Sequence, residues 1–544
     1  MPRLRQCNNY DRLMSYLELL KLASPEATVV LTVFVVLTIG LTIGRRTVVA
    51  AVSASRTDSS RGESAARTQT NAGDTPATTA TSSGLCSFVA ALGLVLAAGA
   101  IFILPRHASL FHGMLVISPL NSLFKIICLA LAFFTVIVAR GDRLLPNRGE
   151  YLGMILLGTT GLMLLVGSEE LLMIFIGLEL TGLSLYILTA FDKSDIRSAE
   201  AGLKYFLFGS TASAFTLFGL SLIYGMTGTT ALADIGQKLS TGSMSPLLFT
   251  GIVMTLVGFG FKVAAAPFHL WAPDAYQGAP IPSAAFIASG SKVASFVVLG
   301  KIVLVGFGPD AGSAAWHALI AGWAPVLAVL AALSILVGNL VALVQKNVRR
   351  LLAYSAVAHA GYTLLGLVAG GRDGFSATLF YTTVYAFTLV GAFGVVGVVR
   401  RETGGDDLQN FAGLCTRSPL LAGCMAVFML SLAGLPPLAG FFGKFYLFSV
   451  ALRAADNQGL LWLIAIALFG SFISLYYYLI VLKVIFLGLV PSEAERDKTS
   501  VPVEILPQPT DFLQRISLSV LAVIVLLLGV IPAPFVARLI ASMP

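Results

Sequence analysis

The chain has 544 residues, 57% hydrophobic and only 11% charged, with mean hydropathy +0.87 and a formal net charge of +8. A soluble globular protein carries about 25% charged residues, so this composition excludes a string of soluble domains. Apolar runs of about 20 residues recur along most of the length, which describes an all-α polytopic membrane protein. Basic loops beside a bilayer account for the positive balance without any nucleic acid.

Residues 1–25 are a polar, basic tail. The first apolar run follows at 26–44 with no small-residue cleavage pattern behind it, so no cleavable signal peptide is expected, and Met14 is a second candidate start. About fourteen spans follow by length and hydropathy. They lie near 26–44, 86–105, 119–139, 150–167, 171–190, 203–225, 247–266, 283–304, 318–344, 352–370, 375–399, 419–450, 459–487 and 516–537. The first three occupy 26–139, and the last belongs to a closing segment 516–544. Residues 52–84 are rich in Ser, Thr, Ala and Gly and read as a low-complexity, disordered loop. A second polar loop covers about 491–514. The twelfth span is too long for one straight crossing and contains Gly434, Leu435, Pro436 and Pro437, so a break is expected there. The seventh ends at GFGFKVAAAPFHLWAPDAYQGAPIP, where Pro267 breaks the helix five residues after Lys262.

Placing the N-terminus outside gathers Arg45, Arg46, Arg140, Arg143, Arg148, Lys193, Arg197, Lys346, Arg349, Arg350, Arg400, Arg401, Arg417 and Arg515 in inner loops. The outer loops then hold only Arg106, Lys238, Lys301, Arg372, Arg453 and Arg538. This positive-inside bias predicts that both termini face outside. The tail, with Arg3, Arg5, Arg12 and Lys21, runs against it.

The chain has five cysteines, none in a CxxC pair, and it lacks a P-loop and a GxGxxG fingerprint. No metal or cofactor site is therefore expected in this chain, and no nucleophile–base set appears. What stands out is charge inside apolar runs. Glu179 lies about 14 Å along its helix from Glu170, and Lys292 about 15 Å from Pro282, both near mid-membrane. An ionisable group there costs about 2.5–3.5 kcal/mol on insertion scales and is a functional candidate. Lys262 sits beside the first break. Lys444, seven residues past Pro437, is either a further carrier or an interfacial residue that snorkels. Lys125 lies near the outer edge of its span, where snorkelling explains it. A structural Glu179–Lys ion pair is the competing reading, although desolvation offsets most of the gain from such a pair. His269 and His359 are equally readable as proton relays or as hydrogen-bonded core histidines. Glu200 and Lys204 are spaced to pair at (i, i+4). A buried lysine poised by a carboxylate, next to a broken helix that admits water, is what a proton half-channel needs.

The stretch around Lys262 and Lys292, together with SAEAGLKYFLFGSTASAFTLFGLSLIYG, NVRRLLAYSAVAHAGYTLLG and LSLAGLPPLAGFFGKFYLF, resembles the antiporter-like membrane subunits of respiratory complex I. The likeness runs from about residue 115 to the end. Lys444 at the twelfth span, the AYQGAP wording and the end just after span fourteen are similar to the subunit N type. That resemblance implies two inverted five-helix repeats, over 150–304 and 318–487, with broken helices seven and twelve. It implies that Glu179 pairs with Lys262, that Lys292 carries the proton toward the centre, that Lys444 serves a second half-channel, and that His269 and His359 line the path. It implies partner membrane-arm subunits, with flavin, iron–sulfur clusters and quinone held elsewhere in the complex. It also implies a bacterial inner membrane, or else a mitochondrial inner or thylakoid membrane. Two features depart from the pattern: the length of the 52–84 loop, and Asn121 where an Asp is common. The competing functions are a subunit of a multi-subunit cation/proton antiporter and a scaffold that moves no protons.

Overall fold

A computed structural model describes residues 16–59, 77–111, 113–142, 147–242, 244–454, 459–488 and 511–543. They form helices α1 (Tyr16–Leu22), α2 (Ser24–Ser59), α3 (Ala77–Ile103), α4 (Pro119–Arg140), α5 (Arg148–Gly167), α6 (Leu171–Thr189), α7 (Ile196–Thr227), α8 (Leu232–Thr241), α9 (Pro246–Lys262) and α10 (Trp271–Gly278). After these come α11 (Ile281–Gly306), α12 (Trp323–Ala342), α13 (Val348–Ala369), α14 (Gly371–Thr403), α15 (Pro419–Ala433), α16 (Ala439–Arg453), α17 (Leu461–Leu487), α18 (Phe512–Val530) and α19 (Ala533–Ser542). Two short antiparallel hairpins, 108–117 and 313–320, cap one end.

Twelve of these helices are long and apolar enough to cross a membrane. The seventh and twelfth expected spans are each split in two, α9 with α10 and α15 with α16. At the stretch 52–84, helix continues through Ser59 and resumes at Ala77, so the ends of the expected loop are helical. Residues 60–76 lie outside the described residues, as do most of the polar loop 491–514 and all but the end of the tail 1–25.

Helix starts follow local capping chemistry. Ser118, Glu170, Ser245, Asn347 and Asp511 each accept a backbone N–H of the first turn, and Pro119 and Pro246 occupy first positions where no donor is needed. The helix ends gather on two faces. On one face, Val348 and Leu408 bond to Asp406 and Lys346, Arg140 pairs with Asp511, and Arg349 donates to the Ala279 carbonyl. On the other, Leu171 bonds to Thr230 and Trp316 to Gly459.

Helices α11, α13 and α14 are almost wholly enclosed, while α7 and α18 keep most of their surface outward. Close packing uses glycine. A Cβ at Gly40 would lie 2.8 Å from the Gly149 Cα, and one at Gly219 would lie 2.7 Å from the Gly251 carbonyl. Small residues of this kind let membrane helices approach closely where no hydrophobic force drives them together.

The two breaks share one geometry. At the first, Ala264 has φ +58 and Ala265 N–H bonds back to the Gly260 carbonyl at 2.8 Å. At the second, Gly434 has φ +85 and Leu435 N–H bonds to the Leu430 carbonyl at 3.1 Å. Both are left-handed C-terminal caps, and both are followed by a cis X–Pro bond, Ala266–Pro267 and Pro436–Pro437. The freed backbone finds side chains, as membrane-buried backbone must. Ala266 N–H donates to Ser334 and Gly440 N–H to Ser431.

Candidate functional site

Three lysines end inside the protein, each on a backbone carbonyl and each across a tyrosine ring. The Lys262 ammonium, at the last residue of α9, donates to the Leu178 carbonyl of α6 at 3.3 Å and lies 5.8 Å from the Tyr186 ring. Gly182 makes room for it: a Cβ there would come within 2.8 Å of the ammonium. Lys292, 2% exposed in the middle of α11, donates to the Ala356 carbonyl of α13 at 2.6 Å and lies 5.4 Å from the Tyr385 ring. Lys444, 4% exposed on α16, donates to the Ala433 carbonyl that the second break leaves open, at 3.0 Å. It also reaches Ser471 and Ser474 of α17 and lies 5.2 Å from the Tyr362 ring. It therefore points back into the break rather than out toward an interface. Each ammonium takes a position where carbonyl dipoles and a π face offset lost hydration.

His359 of α13 joins two of these lysines. Its ring stacks on Tyr385 at 4.9 Å and meets Tyr362 edge-on at 5.7 Å. Lys292, Tyr385, His359, Tyr362 and Lys444 thus form one buried row through the centre of the molecule. His359 is also bonded at both nitrogens, by Tyr381 at 2.8 Å on Nδ1 and by Tyr478 at 3.1 Å on Nε2. Sequence reading missed these tyrosines because a tyrosine in an apolar helix reads as core.

Glu179 and Lys262 do not meet as expected. Among the described residues no ion pair within 4 Å joins them; Glu179 is half-buried and accepts from Ser213 of α7 at 2.5 Å, while Lys262 turns to the carbonyl one residue earlier. His269 lies in the connector between α9 and α10, beside Tyr354 at 6.3 Å and outside the central row.

Two further charges sit differently from the sequence expectation. Lys125 does not snorkel: it is 5% exposed and pairs at 2.5 Å with Glu26, a partner almost a hundred residues away in α2. Lys301 is no loop residue: it belongs to α11, is buried, and donates to Asn121 at 2.7 Å and to the Val166 carbonyl at 2.8 Å. Asn121 therefore serves as a neutral acceptor at a position where Asp was anticipated. On the opposite face Lys204 pairs with Glu200 at 2.6 Å, as its spacing suggested. It also pairs with Asp274 of α10, which holds Arg350 of α13 as well, both at 2.8 Å.

Comparison with known proteins matches this architecture. Residues 168–474 fit the membrane family described as NADH:quinone oxidoreductase/Mrp antiporter. NADH-quinone oxidoreductase subunit N 2 of Acidobacterium capsulatum is 45% identical over 447 residues, covering 80% of this chain and 87% of that protein. The chain belongs to the NADH-quinone oxidoreductase subunit N family. Among solved structures, a chain of respiratory complex I from Thermus thermophilus superposes with TM-score 0.66 at 33% identity, covering 85% of this chain and 98% of that one. A chain of the Mrp complex from a Dietzia species superposes with TM-score 0.70 at 21% identity, covering 95% of this chain and 96% of that one, a likeness of fold alone. The family region takes in Glu179, Lys262, Lys292, His359 and Lys444 together.

Proposed function

We propose that this chain is a proton-translocating membrane-arm subunit of an NADH–quinone oxidoreductase, and that Lys262, Lys292 and Lys444 carry the protons. The observation that carries the reading is the buried row Lys292–Tyr385–His359–Tyr362–Lys444, which spaces two ammonium groups around one imidazole. A scaffold gains little from such groups, because each buried cation costs several kcal/mol of desolvation and no carboxylate pairs with either lysine among the described residues. Glu179, with Ser213, faces the Lys262 end of the path, and His269 lies along its first half. The first five-helix repeat would comprise α5 to α11 and the second α12 to α17, each containing one of the two alike breaks. Partner membrane subunits complete the arm, and flavin, iron–sulfur and quinone chemistry belong to other partner subunits of the complex. The home membrane is a bacterial inner membrane with both termini outside. Subunit N relatives at 45% identity support this reading over a cation/proton antiporter subunit, which shares the broader membrane family and the fold.

The test is to assemble the complex with Lys292→Met or Lys444→Met and measure quinone-linked electron transfer and proton uptake into vesicles. Protons moved per electron should fall in both variants. Unchanged pumping in both would leave the scaffold reading.

A further inference from the structure

Glu179, Gly182 and Tyr186 of α6 follow one another at intervals of three and four residues, so they share one face of the helix. The Lys262 ammonium reaches that face at its middle. In a helix a carbonyl points at the residue four positions on. With no side chain at Gly182, the Leu178 carbonyl stays open to Lys262. At the Glu179 end, the carboxylate accepts from Ser213 of α7. At the other end, the Tyr186 hydroxyl sits on a residue only 7% exposed and has no hydrogen-bond partner among the described residues.

Hydroxyl and ammonium face one another between two glycines. The point where Gly182 would carry a Cβ lies 2.8 Å from Lys262 Nζ and 3.2 Å from the Tyr186 hydroxyl oxygen. From the other side, a Cβ at Gly209 of α7 would collide with the same hydroxyl. Tyr205 and Phe206 of α7 pack edge-on against the Tyr186 ring at 4.7 and 5.9 Å, which holds the phenol in this direction. An ammonium has three hydrogens to donate, and among the described residues Lys262 finds one acceptor, at 3.3 Å. Two under-satisfied buried groups therefore meet beside Gly182. Such groups are normally satisfied by protein or by ordered water, and a buried water needs at least two polar partners of this kind.

We propose that the space between Gly182 and Gly209 is a water-binding site, and that Tyr186 is a positioning residue which holds the Lys262 ammonium through that water. The inference rests on the proton-translocating reading above and adds a residue to it. The water accepts a hydrogen bond from the ammonium and donates one to the Tyr186 hydroxyl oxygen. The ammonium is then kept beside the Leu178 carbonyl, at the middle of the face, instead of closing on Glu179. Ser213 engages the carboxylate at one end of the face, and Tyr186 with its water engages the cation at the other. Neutral partners hold the charged form of a lysine less firmly than a carboxylate in direct contact does, which suits a group that must release its proton.

The test uses the assembled complex. A cryo-EM map that resolves ordered water should show one within hydrogen-bond distance of both Lys262 Nζ and the Tyr186 hydroxyl, and that density should be missing in Tyr186→Phe. Protons per electron are then measured in vesicles for Gly182→Ala, Gly182→Ser, Tyr186→Phe and Lys262→Met. Alanine fills the space with a methyl group and should lower the yield most of the way to that of Lys262→Met. Serine fills it with a hydroxyl that takes over the water's bonds, and should recover most of what alanine loses. A glycine that served close packing alone would make serine, the larger residue, no better than alanine. Tyr186→Phe should lower the yield with electron transfer unchanged. If Gly182→Ala fails to assemble, the map and Tyr186→Phe, which keeps the ring, decide. Suppose pumping is lost in Lys262→Met. Then a map without that water, full pumping in Tyr186→Phe, or serine no better than alanine overturns this inference and leaves the proton-translocating reading intact. Full pumping in Lys262→Met overturns that reading and the positioning role with it, whether or not the water is seen.

Discussion

At the scale of single residues, what matters is how few solutions a buried ammonium has. Lys262, Lys292 and Lys444 were visible as charges in apolar runs, and depth along a helix of 1.5 Å per residue placed Lys292 near the centre. Their acceptors were not visible. Carbonyls of Leu178, Ala356 and Ala433, and the Ser471 and Ser474 hydroxyls, are common chemistry that only tertiary packing brings to one point. Nor was it visible that Glu179 would accept from Ser213, of a different helix, rather than meet Lys262 in a direct ion pair. Two predictions belong here. Lys444→Met should reduce coupled pumping, whereas Lys444→Glu should keep part of it, because a titratable group remains between Ser471 and Ser474; proton uptake at matched electron transfer checks both. Ser213→Ala removes the short bond to Glu179 and leaves a half-buried carboxylate without that donor, at a cost of about 1–3 kcal/mol. The measured consequence should be a several-fold slower proton uptake with assembly retained.

At the scale of elements, the breaks carry the argument. Proline positions in the sequence located both breaks, and the structure adds that they are the same device, a left-handed cap followed by a cis X–Pro bond. Sequence alone was silent on the left-handed residue at the first break, because alanine occupies it where glycine is usual. At the second break the position is Gly434, and a Cβ there would lie 2.9 Å from Lys444 Cδ. Gly434→Ala should cost about 1–2 kcal/mol in backbone strain and push the lysine stem off the Ala433 carbonyl. Thermal unfolding of the purified complex should show a lower midpoint, and pumping should fall more than electron transfer. A variant with wild-type pumping would show that the lysine does not depend on the shape of the break. The ends of the long loop show a limit of compositional reading: a Ser/Thr/Ala-rich stretch reads as coil, yet its flanks continue the helices they adjoin.

At the scale of the whole molecule, hydropathy and loop charge predict about fourteen spans in alternation, because a bilayer leaves the chain so few choices. Among the described residues twelve helices are long and apolar enough to cross, and the two broken spans open on the shorter apolar helices α9 and α15. The contacts agree on which loops share a face: Val348 with Asp406 and Arg140 with Asp511 on one, Leu171 with Thr230 and Trp316 with Gly459 on the other. Reporter fusions after residues 194 and 405 should therefore report one compartment, the inner, and fusions after 315 and 459 the outer. A split between 194 and 405 would contradict the alternation itself. What sequence could not supply at this scale were the long-range pairs that fasten the bundle, Lys125 with Glu26 and Arg350 with Asp274, since nothing local marks either partner.

The central claim is that buried lysines load and release protons, and Lys262 offers its most direct test. Arginine at this position keeps a positive charge and a donor for the Leu178 carbonyl, but a guanidinium does not deprotonate in a protein. The measurement is protons taken up per electron by vesicles containing the assembled Lys262→Arg complex, beside Lys262→Met and wild type. A carrier predicts that both variants transfer electrons and that neither pumps through this subunit. Wild-type proton yield in the arginine variant would contradict the account and return Lys262 to a structural charge.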